Sequence, residues 1–580
     1  MSVIDPSAQK NAEQWLLSNG IDQATKDIIK DMMQNNVEEF NESFYRNLEF
    51  GTGGLRGIMG IGSNRMNHYT VAMATQGFVN YIIKNNPNKE IKTVISFDSR
   101  NNSKEFANIT ANVMVANGFK VFLFEELRPT PVLSYAVRHL GCDAGVMITA
   151  SHNPKEYNGY KAYWNDGGQL VSPHDTLVIE EVVKITDYAQ VKIEGGRENI
   201  TIIDKSFDQD YLNEVLKLTL SPEKIKKHSN IKICYTPLHG TGITLVPKAL
   251  EMYGFNNINI VKEQAVLDGN FPTCKSPNPE EHSAMEMGMK LAKKIDASIL
   301  LATDPDADRV GIAVKNQNNE FILLNGNQTA TVLTYYILRR WKELGKFKGN
   351  EYTIKTIVTS ELIKKVSESF GIKNYDVFTG FKFIAEKILE LEGKEEYICG
   401  GEESYGFLIG DYVRDKDAVS ACCLIAEICA WAEDQGKTFY DILLEIYEEY
   451  GFFKEDLLSI TIQGKSGAEE IQRMMASFRS NPPRVLIGLD VVKIKDYKTQ
   501  ISKDIITGKE EKMNFAPSNV LQFFLEDGSK ISVRPSGTEP KIKFYFGVFN
   551  ELNNKSGFTA LENKAEVKIK AIISELGLKK

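Results

Sequence analysis

Short apolar runs recur along this chain with helical patterns between them, and this alternation restricts the fold more than any other feature. TVISFD (93–98), KVFLF (120–124) and AGVMITA (144–150) read as buried strands, and the stretch from Lys104 to Asn117 reads as a helix. The same grammar restarts at IKICYTPLHGTG (231–242), at ASILLATD (297–304) and at YTIKTIVTS (352–360). Such strands alternating with helices predict α/β units built on parallel sheets. Near residue 450 the pattern changes. LLSITI, VVKIKDY, VLQFFLEDGSKISVRP and KIKFYFGV alternate with turns and predict an antiparallel sheet with helices, an α+β unit. Residues 6–48 carry helical spacing, with Trp15, Leu16, Ile28, Ile29, Met32 and Met33 on apolar stripes.

A chain of 580 residues exceeds what one core organises, and domains of roughly 100–200 residues predict three to five of them. The pattern changes place them at 1–207 (a helical extension and a first α/β domain), 208–319 and 320–451 (two more α/β domains) and 452–580 (a smaller α+β domain). No fixed sequence period marks the three α/β units as repeats.

Charge bounds the partners. A net charge of -8 argues against nucleic acid or an anionic membrane surface. An anionic small molecule requires the basic groups to be gathered in one cleft. The seven cysteines, Cys142, Cys234, Cys274, Cys399, Cys422, Cys423 and Cys429, contain no C-x-x-C pair. Free buried thiols are expected rather than disulfides or a zinc site. The N-terminal stretch lacks a basic segment followed by an apolar one, and no apolar run is long enough to span a bilayer, so the cytoplasm is the expected compartment.

Four segments carry chemistry, one in each expected domain. TASHNP (149–154) ends a strand, where α/β sheets gather their active sites. Ser151 has His152 beside it and Lys161 shortly beyond; flanked by cations it can accept and return a phosphoryl group, although a Ser/Asn turn that merely closes a strand reads the same. The surroundings are not the G-x-S-x-G elbow of hydrolases. DPDADR (304–309) follows an apolar strand. In an extended segment Asp304, Asp306 and Asp308 would project to one side and converge on a hard cation such as Mg2+. An EF-hand is excluded, because its sixth position would be Arg309 and its twelfth Lys315. GGEESYG (400–406) lies between TGFKF (379–383) and VRDKD (413–417). Glu402 and Ser404 suit vicinal sugar hydroxyls, and Lys382 suits a hydroxyl proton or a phosphate; each piece alone also fits a surface loop. In RPSGTEP (534–540), Arg534, Ser536, Thr538 and the backbone at Gly537 can grip a phosphate, or simply form a capped turn.

Together these four segments, in this order and at comparable spacing, resemble the α-D-phosphohexomutase family, from FGTGGLRG near residue 50 to about residue 548. The resemblance implies four domains around a central cleft. It implies that Ser151 is the phosphorylated serine, that Asp304, Asp306 and Asp308 hold the metal together with Ser151, and that Arg309 lies near the phosphoserine. His152 and Lys382 match candidates for proton transfer. Thr379, Gly380, Glu402 and Ser404 match sugar-binding positions, and Arg534, Ser536, Gly537 and Thr538 match the grip on the phosphate that is not being transferred. Arg56 and Arg100 fall in family positions as well, and Arg56 and Lys161 are expected to bind substrate. The implied reaction interconverts hexose 1- and 6-phosphates with Mg2+, through a hexose 1,6-bisphosphate that is also the activator. Glu403 in GEES resembles glucose-type members, with pentose and mannose phosphates as alternatives. Two readings from other classes are an aspartyl-phosphate phosphatase with Asp304 as nucleophile, which leaves Ser151 and RPSGTEP without a task, and a non-catalytic sugar-phosphate sensor.

Overall fold

The computed structural model describes residues 3–51, 53–462, 465–536 and 541–578. The chain forms two compact units, Met1–Thr356 with Ile372–Phe439, and Ile357–Gly371 with Tyr440–Lys580.

The first unit begins with the helices Pro6–Leu17, Gln23–Asn35 and Val37–Phe44. Asp5, Asp22 and Asn36 cap them by accepting from first-turn N–H groups. They bury Ala8, Ala12, Ile29, Phe40 and Phe44. Ile28, expected on the same stripe as Ile29, is 46% exposed.

Three sheets follow. In space the first runs Gly54–Ile58, Tyr157–Trp164, Ala144–Ile148, Lys92–Phe97, Lys120–Phe124, Ile200–Ile203. The second runs Phe321–Leu324, Val310–Lys315, Ile299–Thr303, Ile233–Thr236, Ile258–Ile260. The third runs Phe407–Ile409, Glu396–Gly401, Glu351–Thr356, Lys373–Val377. Each has a parallel centre, and each carries an antiparallel hairpin on one side. The parallel α/β architecture expected from the apolar runs is present at the centre of each sheet, and the hairpins make the sheets mixed. The reason is loop length: a parallel crossover needs about a dozen residues or more, and the hairpin links are only 149–156, 304–309 and 402–406. Those three links are the serine, aspartate and GEESYG segments. The three sheets have six, five and four strands but share a four-strand order with the hairpin on the same side, a likeness that no sequence period shows.

The strand Ala144–Ile148 is buried along its whole length, and with Ile95, Phe106, Ala111 and Phe78 it forms the core beneath the serine link. The second unit is an antiparallel sheet in the order Phe452–Thr461, Lys541–Asn550, Lys530–Pro535, Leu521–Leu525, Leu489–Asp496, Ile501–Asp504, Glu510–Lys512. The helices Lys465–Ser480 and Phe558–Glu575 pack Ile471, Met475, Ile569 and Ile572 onto Ile531, Val533 and Phe544. All seven cysteines are free, and all but the half-buried Cys274 are buried. Among the described residues no helix is long and apolar enough to cross a membrane.

Candidate active site

Ser151 sits at the start of the first hairpin link with φ of 52°. This left-handed conformation costs a non-glycine residue about 1–2 kcal/mol, and it persists only where the surroundings over-determine it. Arg100 supplies most of that constraint. Its Nη2 donates to the carbonyls of Ser151, at 2.6 Å, and Asn153. Its Nη1 donates to those of Pro154, at 2.9 Å, and Tyr157, at 3.0 Å. One planar fork thus ties three carbonyls of the link and that of Tyr157 at the start of the next strand. Arg100 is itself fixed by Asp98 at 3.3 Å, with both side chains fully buried, and Asp98 also accepts from Thr149 Oγ1 and Ser103 Oγ, each at 2.7 Å. The Ser151 N–H donates to Thr149 Oγ1 at 2.8 Å. The backbone of the serine is therefore held independently of its hydroxyl.

That hydroxyl reaches the second link: Ser151 Oγ donates to Asp304 Oδ2 at 2.8 Å. DPDADR is not extended. It must reverse the chain between antiparallel strands, and it does so in a turn with Ala307 at φ 50°. The Ala307 N–H donates to the Asp304 carbonyl at 2.9 Å, and the N–H groups of Asp308 and Arg309 donate to Asp304 Oδ1 at 3.2 and 3.1 Å. The aspartates converge because the turn folds back, not because alternate residues share a side. Thr130 buttresses the turn with Oγ1 on Asp306 Oδ2 at 2.8 Å. TPLHGTG has a supporting task as well: a Cβ on Gly240 would lie 2.4 Å from Pro305 Cα, and the Thr241 N–H donates to the Pro305 carbonyl at 2.8 Å.

Three carboxylates packed together need cations. Lys161 Nζ lies 2.7 Å from Asp306 and 3.0 Å from Asp308, and Lys416 Nζ lies 3.2 Å from Asp308 and 2.8 Å from Asp415. Burial, aided by Asp306 and Asp308, raises the Asp304 carboxyl well above its usual range. Burial also opposes charge on Asp308, but Lys161, Lys416 and Arg309 outweigh it and hold that carboxyl below its usual range. Sequence reasoning missed Lys416 and Asp415, although VRDKD had stood out. The available signal was a glycine: a Cβ on Gly406 would meet Lys416 Cδ at 2.1 Å, so the last residue of GEESYG leaves room for the lysine stem.

The acidic trio fits a hard divalent cation. One oxygen from each of Asp304, Asp306 and Asp308 lies within 4.8 Å of the others. Asp306 Oδ1 and Asp308 Oδ1 are enclosed with no hydrogen-bond partner, and all donors are oxygens, the set that Mg2+ takes.

The remaining residues expected at the site take varied positions. His152 Nδ1 is 3.3 Å from Ser151 Oγ. Burial first, then Arg309 and Arg56, push its pKa well below the usual histidine value, so the ring is neutral at pH 7. Arg56, exposed on the strand Gly54–Ile58, lies within electrostatic reach of Arg309 and all three aspartates. Arg309 donates to the Ser404 carbonyl at 2.9 Å. Thr379 Oγ1 is enclosed without a hydrogen-bond partner, and the Gly380 N–H donates to Glu402 at 2.8 Å. Lys382 is held by Asp175 at 3.1 Å. In the second unit Arg534 and Ser536 are half-buried, and the Ser536 N–H donates to the Lys541 carbonyl at 2.8 Å. Gly537 and Thr538 lie outside the described residues.

Burial, then Glu403, raises Glu402 from 4.5 to about 7. The folded carboxyl keeps its proton where the unfolded one loses it. Its contribution is therefore complete below pH 4.5 and lost as pH rises through about 7. Glu402→Gln should remove on the order of 3 kcal/mol from the decline in stability across that window. Urea unfolding at several pH values measures it, and identical slopes in wild type and variant would refute it. Glu427 and Glu455, also raised to about 7, keep part of the slope in both proteins.

Sequence models of the phosphoglucomutase/phosphomannomutase family match this chain in order: α/β/α domain I at residues 47–189, domain II at 209–318, domain III at 325–450 and the C-terminal domain at 491–552. The chain belongs to the phosphoglucomutase/phosphomannomutase family, and with it to the phosphosugar-mutase class of isomerases. Phosphoglucomutase of Staphylococcus aureus (strain N315) is 38% identical over 530 residues, 90% of this chain and 94% of the relative. Among solved structures, parafusin, a phosphoglucomutase from Paramecium in its open form, superposes with TM-score 0.66 at 18% identity, covering 91% of this chain and 96% of that one. A phosphoglucomutase/phosphomannomutase family protein from Burkholderia thailandensis gives 0.64 at 16% identity, covering 90% and 96%.

Proposed function

We propose that this enzyme interconverts glucose 1-phosphate and glucose 6-phosphate through phospho-Ser151 and a glucose 1,6-bisphosphate intermediate. The observation that carries the reading is Ser151 Oγ on Asp304 at 2.8 Å, in a link whose backbone is clamped by Arg100 beside the acidic trio. In the first half-reaction the P–Oγ bond of phospho-Ser151 breaks as a bond forms to the sugar O6, and the hydroxyl proton leaves to a base. His152, neutral at pH 7, and Lys382 on its Asp175 partner are the proposed proton carriers. Ser151 Oγ takes up a proton as it departs; in the second half-reaction it gives that proton up and forms a bond to the 1-phosphate of the reoriented bisphosphate, the P–O1 bond breaks, and O1 leaves as a hydroxyl with a returned proton. Mg2+ on Asp304, Asp306 and Asp308, with Ser151, would neutralise charge on the transferring group. Arg309, Arg56 and Lys161 surround the same space, and Thr379, Gly380, Glu402 and Ser404 are proposed to receive the sugar hydroxyls.

Glucose is favoured by the 38% identity to a protein named phosphoglucomutase and by Glu403 in GEES, which resembles glucose-type members of the family. The test is a coupled assay with glucose, mannose and ribose 1-phosphates, each with Mg2+ and a trace of its bisphosphate. The highest kcat/KM is expected for glucose 1-phosphate; a higher value for either of the others overturns the assignment.

Arg534, Ser536, Gly537 and Thr538 are proposed to grip the phosphate that stays on the sugar. A charge-assisted contact of this kind is worth about 1.5–3 kcal/mol. Arg534→Ala should therefore lower kcat/KM about 10- to 100-fold, raise KM and increase the demand for added bisphosphate. Arg534→Lys should rescue only part of this, since a point charge lacks the planar fork. Unchanged KM and bisphosphate demand in Arg534→Ala would remove this role.

A further inference from the structure

A cavity of about 340 Å3 in the second unit is lined by Arg479, Pro482, Arg484, Ile494, Ile501 and Lys503, among others. That volume lies at the small end of ligand-binding clefts, which run to roughly 300–1,000 Å3. It belongs to a different face from the phosphate grip. Asp496, on its wall, pairs across the sheet with Leu521, and Leu521 with Val533. Paired residues share a face, and Val533 is in the helix-covered core. Arg534, the next residue along the strand, therefore projects from the opposite face.

The lining combines apolar surface with spare cationic donors. Ile494 and Asp496 on one strand pair with Lys503 and Ile501 on the next, so all four face the cavity side. Arg479 Nε sits 3.3 and 3.2 Å from the two oxygens of Asp496, while its Nη2 is enclosed with no hydrogen-bond partner. Buried donors without partners are uncommon and call for an explanation. Arg484 is exposed and makes no ion pair among the described residues, and Lys503 is paired with Glu510 at 2.8 Å. The cations on the wall exceed the anions by one, and the excess is a guanidinium, whose planar fork matches a phosphate or carboxylate.

We propose that this cavity binds a small organic anion, a phosphate monoester or carboxylate with an apolar body, the anionic head on Arg484 and the accessible edge of the Arg479 guanidinium and the body against Ile494, Ile501 and Pro482. Its lining shares no residue with the proposed active site. The experiment is isothermal titration of the full-length enzyme with phenyl phosphate, inorganic phosphate and phenol, in the presence of Mg2+ and saturating glucose 1,6-bisphosphate to fill the cleft. Phenyl phosphate is expected to bind one-to-one and more tightly than inorganic phosphate, and phenol is expected not to saturate. Arg484→Glu, at an exposed position without an ion pair among the described residues, should weaken phenyl phosphate binding at least about tenfold while leaving kcat/KM for the sugar phosphate unchanged without it. The idea is overturned by absent saturable binding to wild type, by phenol binding as tightly, or by equal affinity in Arg484→Glu. Because the variant's binding is compared directly with wild type, failure of the glucose assignment leaves this result readable.

Discussion

Ser151→Ala is expected to lower mutase turnover by at least about 10⁴-fold, the scale on which loss of a covalent nucleophile acts, with little change in folding. The two halves of this expectation rest on different atoms. The Oγ makes the bond to Asp304 at 2.8 Å, and its removal takes away the proposed phosphoryl acceptor. The conformation of the link rests on the Arg100 contacts to four carbonyls and on the Ser151 N–H, none of which alanine disturbs. Circular dichroism and thermal unfolding should overlay those of the wild type. In wild-type enzyme labelled from the bisphosphate, the phosphate should sit on a serine and survive both acid and hydroxylamine. A hydroxylamine-labile label on Asp304, or turnover within tenfold of wild type in Ser151→Ala, would remove Ser151 from the mechanism and revive the phosphatase reading.

Asp306→Asn should cost the next most, on the order of 10²- to 10³-fold in turnover at limiting Mg2+, because one of three anionic ligands becomes neutral. Asp306 is suited to this test because its Oδ2 is already engaged by Thr130 and Lys161, contacts an amide oxygen can partly keep, while its Oδ1 has no hydrogen-bond partner. The substitution thus removes charge from an oxygen proposed to ligate the cation while keeping an acceptor for the Thr130 contact that buttresses the turn. Activity against Mg2+ concentration should shift to much higher metal, and a chelator should inactivate the wild type until Mg2+ is restored. Full activity after exhaustive chelation, or an unshifted metal titration in the variant, would show that the trio does not hold a required ion.

Much of this site was legible in the sequence because its chemistry is written locally. TASHNP, DPDADR, GEESYG and RPSGTEP are contiguous, and the apolar runs before the first two predict strand ends by periodicity alone. Ser151, the three aspartates and Arg309 could be named from those segments without knowing how the strands are ordered. Periodicity also separated the α/β region from the antiparallel C-terminal part, since alternation with a period of two and helical spacing are properties of a dozen neighbouring residues.

What only the tertiary structure decided is which distant residues meet. Lys161 reaches Asp308 across 147 positions, Arg100 reaches the carbonyl of Ser151 across 51, and Lys382 meets Asp175 across 207. No local pattern encodes such pairs, because they follow from strand order and from the depth at which each side chain is buried. The turn of DPDADR was misread for the same reason: whether a short polar segment runs straight or reverses depends on whether the next strand pairs antiparallel with the last, a hydrogen-bonding choice made across the sheet. Lys416 went unnamed because its role is set by charge balance. Only when three carboxylates are enclosed together does the low-dielectric interior require a second buried ammonium beside Asp308, and that enclosure exists only in the folded chain.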